Sequence, residues 1–332
     1  MKIVSYNVTK KCNLYCEHCY RNSKEDVDLS DELSTEEAKE VFRDIKKAGF
    51  NMLKLSGGEP LMREDIFELA EFATSLGLYT CLGTNGTLIN EDNIELIKMY
   101  IKSVAISIDS RDKNIHDSFR GYEGAFDETM RGIEILKKND VKFQVNTTIS
   151  KINLKEIESL LDFASELGAS SVHVLFLVMT GRGKNLENVY LTKEEYTEAI
   201  KQVLEYESDL FIKPTCAPQS TVLAKKLNLD PRVKKSCIAG TSYCSLVYDG
   251  RVNICPYAEV EAGNVKEDSF YNIWNESDVF KKLRDPSYYK GKCKTCNFNN
   301  ICGGCRARAF ANTGDYLEFD NYCVLGDYVL GD

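Results

Sequence analysis

Six short apolar runs alternate with amphipathic stretches through the first ~185 residues of the chain, the rhythm of a βα repeat. The runs are Lys2–Val8, Met52–Ser56, Tyr79–Gly83, Val104–Ile108, Lys142–Thr148 and Val172–Val178. Parallel pairing follows, because only a helical crossover returns the chain to the same end of the sheet. The expected fold is α/β, a curved sheet or partial TIM-like (β/α)6 barrel. Helix boundaries are also legible. Ser34 with Glu37 forms a capping box ahead of Thr35–Ala48, and Asn153 with Glu156 has the same spacing ahead of Leu154–Leu167. Gly49, Gly77 and Gly168 stand where helices should end. Such folds bind ligands at the carboxyl ends of their strands. Cys12, Gly57, Thr84, Asp109, Thr148 and Thr180 all fall just past those ends.

Three segments are expected: a barrel core over 1–185, a helical bridge over 186–235 capped by Thr192 and Glu195, and a small domain over 236–332. In the last of these Gly, Tyr and Cys rise and helical periodicity breaks up. That composition suits a module held by metal more than by a large core. The net charge of −9 argues against nucleic acid, which needs a basic footprint. No run of 18 apolar residues predicts a membrane span, and MKIVSYNV carries neither a basic n-region nor a cleavage site. A cytoplasmic protein is expected.

Thirteen cysteines in a reducing compartment read as metal ligands or redox groups, not disulfides. Most are clustered. Cys12, Cys16 and Cys19 lie within eight residues; Cys237, Cys244, Cys255, Cys293, Cys296, Cys302 and Cys305 form a second group, with Cys323 close behind. Three soft sulfur ligands on one loop suit a [4Fe–4S] cluster, and leave its fourth iron open to another ligand. A zinc knuckle is the alternative, with His18 as the fourth ligand inside the same loop.

The triad after the first strand, SGGEP (Ser56–Pro60) after the second and GTNGT (Gly83–Thr87) after the third together resemble the radical S-adenosylmethionine (SAM) superfamily. The resemblance covers the first domain. It implies that SAM chelates the open iron and is cleaved, after one-electron reduction, to a hydrogen-abstracting 5′-deoxyadenosyl radical. It also implies a low-potential electron donor such as a ferredoxin or flavodoxin. The cofactor site it implies comprises Tyr20, Gly57, Gly58, Glu59, Pro60, Thr84, Asn85, Ser107, Asp109, Arg120, Asn146 and Thr148. Within it, the Gly57–Gly58 backbone permits close approach, Glu59 accepts from the SAM ammonium, and Arg120 pairs the SAM carboxylate. Strand-end capping is the alternative role for Ser107 and Asn146.

The spacing Cys237-x12-Gly250-x4-Cys255, then Cys293-x2-Cys296-x5-Cys302-x2-Cys305 and Cys323, resembles the SPASM domain, an auxiliary-cluster module. The resemblance implies two further [4Fe–4S] clusters. Cys237, Cys244, Cys255 and Cys305 would hold one; Cys293, Cys296, Cys302 and Cys323 would hold the other. The last spacing is x2 where x3 is commoner, so the partition stays open, as does a pair of zinc ribbons. Two cysteines are left over. Cys81 reads as a small buried hydrophobe. Cys216, in KPTCAPQ, is grouped with Cys12, Cys16 and Cys19 as a catalytic candidate: an auxiliary ligand, a hydrogen-atom donor or a structural thiol. His18 is expected near the adenine, His116 in a structural role, and His173 either in the core or facing substrate.

Longer stretches, among them NVTKKCNLYCEHCYR, LSGGEPLMREDIFELA, FLVMTGRG, KPTCAPQ and CGGCRARA, resemble the radical SAM proteins of alternative heme and heme d1 biosynthesis. That implies decarboxylation, or loss of acetate or propionate groups, on a siroheme-derived tetrapyrrole, with an auxiliary cluster taking up an electron. Arg182, Lys184, Arg306 and Arg308 are the expected partners of its carboxylates. The rivals are a maturase of ribosomally made peptides and an iron–sulfur electron carrier. Cys12 leaves no room for the N-terminal extension many maturases carry, and a carrier has no use for SGGEP.

Overall fold

The computed structural model describes residues 1–233 and 237–325. Its frame is one ten-stranded sheet: β1 Ile3–Asn7, β2 Met52–Ser56, β3 Tyr79–Thr84, β4 Ser103–Ser107, β5 Phe143–Ile149, β6 Ser171–Phe176, β7 Phe211–Thr215, β8 Tyr243–Leu246, β9 Arg251–Cys255 and β10 Ala258–Asn264. The order is β10-β9-β8-β1-β2-β3-β4-β5-β6-β7. Pairing is parallel from β8 through β7, while β9 and β10 add antiparallel neighbours. β2 and β7 are five strands apart in this order, ~24 Å along a flat sheet. Yet Lys54 of β2 and Lys213 of β7 lie within electrostatic reach of each other, so the sheet is curled into an open barrel.

Side chains alternate along each strand. Leu53 and Leu55, Val172 and Val174, and Val145 point outward into one apolar core with the surrounding helices. Lys54, Asn146 and His173 point to the inner face. The helix Thr35–Lys47 starts at the expected capping box, Ser34 and Glu37 reciprocating, and Lys193–Glu205 starts at Thr192 and Glu195 in the same way.

Two expectations need correcting. Asn153 caps no helix: Leu154–Glu156 is a 3-10 turn ahead of the helix Ile157–Glu166, and the Asn153 amide donates instead to the Asp109 and Thr148 carbonyls. The 186–235 segment is more than a helical bridge, since it contains β7. Pro214 hides that strand in the sequence, but β7 is an edge, where a missing N–H is tolerated. The C-terminal part also extends the sheet of the barrel. β8 pairs with β1, and Phe270 and Trp274 pack edge-on against Phe50. The expected boundary near 235 lies outside the described residues. Among the described residues no helix is long and apolar enough to cross a membrane.

Candidate active site at the carboxyl ends of the strands

The Cys12–Cys19 loop leaves β1 and lies across the mouth of the open barrel. Four hydrogen bonds hold it. The Cys12 N–H donates to Lys24 O, the Glu59 N–H to Lys11 O, and Arg182 donates from Nε to Cys16 O and from its backbone to Cys19 O. The guanidinium of Arg182 also lies over the Tyr15 ring, 4.0 Å from its centroid. Gly58 abuts the same loop so closely that a Cβ there would stand 2.1 Å from Lys11 O.

All three thiols open into one cavity. Burial pushes Cys12 and Cys16 up, while the neighbouring Arg120 guanidinium opposes the rise at Cys16. Cys12 and Cys16, crowded and buried, are poor thiolates by themselves, and a bound metal would supply the missing positive charge. The donor set therefore fits an iron–sulfur group.

The cavity wall brings together most of the expected cofactor residues: Tyr20, Gly57, Gly58, Thr84, Asn85, Ser107, Arg120, Asn146 and Thr148. Ser107 and Asn146 are register partners on β4 and β5. Arg120 enters the cavity from the end of helix Lys113–Arg120, held by Asp109 at 2.5 Å and pointing Nη1 at Cys16 Sγ, 3.9 Å away. His18 stacks on Phe119 at 3.9 Å and lines the same space; burial and the Arg120 charge hold it neutral. The set fits an amino-acid-bearing nucleoside, with a guanidinium for the carboxylate and polar strand ends for the ribose.

Glu59, Pro60 and Asp109 are not in that wall. The Glu59 carboxylate is fully buried and accepts from Thr84 Oγ1 at 2.7 Å, the Asn85 N–H at 2.8 Å and the Leu61 N–H at 3.2 Å. Burial raises its pKa to about 7. It shapes the turn after β3 from behind the cavity wall. Asp109 likewise acts through others, accepting from the Thr148 N–H at 2.8 Å while pairing Arg120. His116 is structural, its Nδ1 accepting from the Asp109 N–H.

The second cysteine group divides differently from the expected partition. Cys216 and Cys305 lie together, each the first influence on the other, with the Cys216 thiol pushed up and the Cys305 thiol down, and Cys237 and Cys255 lie beside Cys305. Cys244, expected in this set, instead points from β8 into the apolar core with Arg284 as its charged neighbour. Alternation along β8 decides this, since Tyr243 and Ser245 take the inner face. Cys216 adopts φ 57°, a strained geometry for a non-glycine residue that persists only where its surroundings impose it. The sequence left the role of Cys216 open between auxiliary ligand, hydrogen-atom donor and structural thiol; the curling of the sheet, which carries the end of β7 to the end of β9, places it beside Cys305 and Cys255. Cys293, Cys296, Cys302 and Cys323 line a second, smaller pocket together. Cys81 stands on the inner face of β3, with burial raising its thiol to about 11.

The four expected carboxylate partners are mostly engaged elsewhere. Arg308 is buried, paired with Asp320 at 2.9 Å and donating to Cys216 O at 2.8 Å. Arg306 is buried, donating to the Tyr316 and Glu318 carbonyls and pointing at Cys293 Sγ. Both position cysteines instead of meeting solvent. Lys184 is exposed and outside the cavity wall, and Arg182 lines the cavity while bracing the cluster loop. The cations that sequence reasoning missed are Lys54 and Lys213 on the inner face, where His173 also stands, not in the core.

Residues 6–164 match the Radical SAM superfamily, and residues 237–297 match SPASM, an iron–sulfur cluster-binding domain. The chain is 42% identical to the AdoMet-dependent heme synthase of Methanosarcina barkeri, over 97% of this chain and 96% of that protein. It belongs to the radical SAM superfamily. This radical SAM enzyme uses SAM and a [4Fe–4S] cluster, and its SPASM domain carries auxiliary iron–sulfur clusters, so neither cysteine group is a zinc site. It is also similar to the pre-heme d1 synthase of Dinoroseobacter shibae, 30% identical over 97% of this chain and 86% of that protein. Among solved structures, SuiB of Streptococcus suis bound to S-adenosylmethionine superposes with TM-score 0.77 at 19% identity, covering 97% of this chain and 77% of that one. AnSMEcpe with bound AdoMet superposes with TM-score 0.71 at 20% identity, covering 97% and 93%. At those identities the likeness is one of fold.

Proposed function

We propose that this radical SAM enzyme acts in heme biosynthesis and removes carboxyl-bearing groups from side chains of a siroheme-derived tetrapyrrole. The observation that carries the reading is the end-to-end likeness, 42% identical, to a heme synthase. Heme bears vinyl groups where a tetrapropionate iron porphyrin bears propionates. Converting one to the other releases carbon dioxide, one hydrogen atom and one electron.

When bound, SAM and the reduced cluster supply a 5′-deoxyadenosyl radical that takes the hydrogen atom. The protein's part is placement. Cys12, Cys16 and Cys19 would hold the cluster. Arg120, locked by Asp109, offers its guanidinium to a carboxylate, while Ser107, Asn146 and Thr148 offer hydroxyl and amide groups beside it. The His18–Phe119 stack gives that side a flat aromatic wall. Tyr20 and Tyr257 meet at 5.0 Å, and Tyr257 both lines the cavity and lies beside Cys216 and Cys255. An iron–sulfur group on Cys216, Cys237, Cys255 and Cys305 would thus accept one electron within a side chain's reach of the cavity.

The test is anaerobic turnover of iron-coproporphyrin III with SAM and a chemical reductant, followed by mass spectrometry. Formation of 5′-deoxyadenosine with stepwise loss of carbon dioxide from the porphyrin is expected. 5′-Deoxyadenosine with an unchanged porphyrin would overturn the reading.

A further inference from the structure

Lys54 of β2, His173 of β6 and Lys213 of β7 gather on the inner face of the sheet. Strand register sets His173 opposite Lys213, and the curl of the sheet brings Lys54 to both. Lys54 lines the cavity; the other two stand beyond it on the same face. Room for Lys54 is made by its neighbour on β3, because a Cβ on Gly83 would stand 2.5 Å from Lys54 Cε and 3.3 Å from Nζ. Among the described residues neither ammonium has a hydrogen bond or a carboxylate partner. Lys54 lies near the Cys81 thiol, Lys213 and His173; Lys213 lies near His173 and the Cys216 thiol. Burial depresses both amines, and His173 is held neutral by burial and by the two lysines.

Two cations gathered on the half-buried inner face of a barrel repel each other, and an anion received between them would relieve that repulsion. The cations nearer the cluster loop are engaged: Arg120 with Asp109, Arg182 with backbone carbonyls. We infer that Lys54 and Lys213 form a carboxylate-receiving site, which holds a substrate carboxylate at the inner wall and so sets which side chain faces the cluster loop. His173 is a neutral donor in the same site. The identity of that carboxylate as a propionate rests on the tetrapyrrole reading; the anion site does not.

The experiment titrates iron-coproporphyrin III into the cluster-loaded enzyme by absorbance, for the wild type, Lys54→Gln, Lys213→Gln and Lys213→Arg. Losing one charge-assisted hydrogen bond predicts about 10- to 100-fold weaker binding for each Gln variant. Lys213→Arg should stay within a few-fold of wild type, and the tetramethyl ester should bind all four proteins alike. Iron content checks that each variant is loaded. Gln variants that keep their iron and bind the tetra-acid as the wild type does would overturn the site. So would a Lys213→Gln effect confined to the auxiliary-cluster spectrum, which would make Lys213 the cluster's counter-charge. Should the wild type fail to bind the porphyrin, the tetrapyrrole reading falls. Acetylation of Lys54 and Lys213 by an amine-reactive ester, with and without adipate, then decides. Protection by adipate keeps the anion site, and its absence overturns it.

Discussion

Cys216 and Cys244 make opposite demands on the same environment. Cys244 sits at zero exposure among aliphatic side chains, where a thiol behaves as a small hydrophobe. Cys216 lies against Cys305, and its backbone is strained. Cys216→Ser should therefore lose a cluster's worth of iron and change the auxiliary signal in electron paramagnetic resonance. Cys244→Ala should keep its iron and cost about 1 kcal/mol of stability. The reverse pattern of iron loss would restore Cys244 as the ligand. His173 gives a second residue-level handle. Its pKa falls from 6.5 to about 3 on folding, first through burial and then through Lys213 and Lys54. The folded pKa is the lower one, so the unfolded chain binds more protons between those values, and stability falls as pH drops below 6.5. At pH 5.5 the loss is on the order of 1 kcal/mol. His173→Asn should accordingly show a smaller drop in thermal midpoint than wild type between pH 7.5 and 5.5. Equal drops would mean that His173 is not held neutral.

At the scale of elements, the helix Thr35–Lys47 isolates one local term. Ser34 Oγ accepts from the Glu37 N–H, and the Glu37 carboxylate returns the contact to the Ser34 N–H. Ser34→Ala should cost about 1 kcal/mol, read as a lower thermal midpoint with SAM binding unchanged. That helix was legible in the sequence because its cap, its acidic first turn and its apolar face all agree. The first six strands were legible for the same reason, each apolar run matching its place in a βα repeat. β7 was not, because FIKPT offers a proline where a strand would be expected to donate, and only its edge position makes that harmless. The Asn153 cap failed through competition: its amide is drawn to the Asp109 and Thr148 carbonyls at the ends of β4 and β5. At the site, the Cys12 triad and the glycines were readable from spacing. Side-chain direction was not, so Glu59 and Arg308 looked available when both are buried, Glu59 among the donors of the turn after β3 and Arg308 against Asp320 and Cys216 O.

Across the whole molecule, one carboxylate ties the cysteine-rich end to the barrel. Asp320 Oδ2 accepts from Gln219 Nε2 at 2.7 Å, the Cys305 N–H at 2.8 Å and Arg308 Nη1 at 2.9 Å. Its backbone carbonyl accepts from the Cys323 N–H at 3.1 Å. Arg308 in turn reaches Cys216 O and lies against the Tyr196 and Tyr322 rings. A single group thus touches the supports of cysteines from both auxiliary sets and of the helix that follows β7. Asp320→Asn keeps the shape but leaves the Arg308 guanidinium buried without a counter-charge. Removing one partner of such a pair typically costs about 3–5 kcal/mol, whereas replacing both by apolar groups of similar volume is far milder. Asp320→Asn should therefore lower the thermal midpoint and shed auxiliary iron, with the Cys12 cluster retained. Pairing Asp320→Leu with Arg308→Met should recover part of the midpoint lost in the single variant. Thermal scans under anaerobic conditions, read beside iron content, check both. A single variant as stable and as iron-rich as wild type would mean that the module is held by its clusters alone.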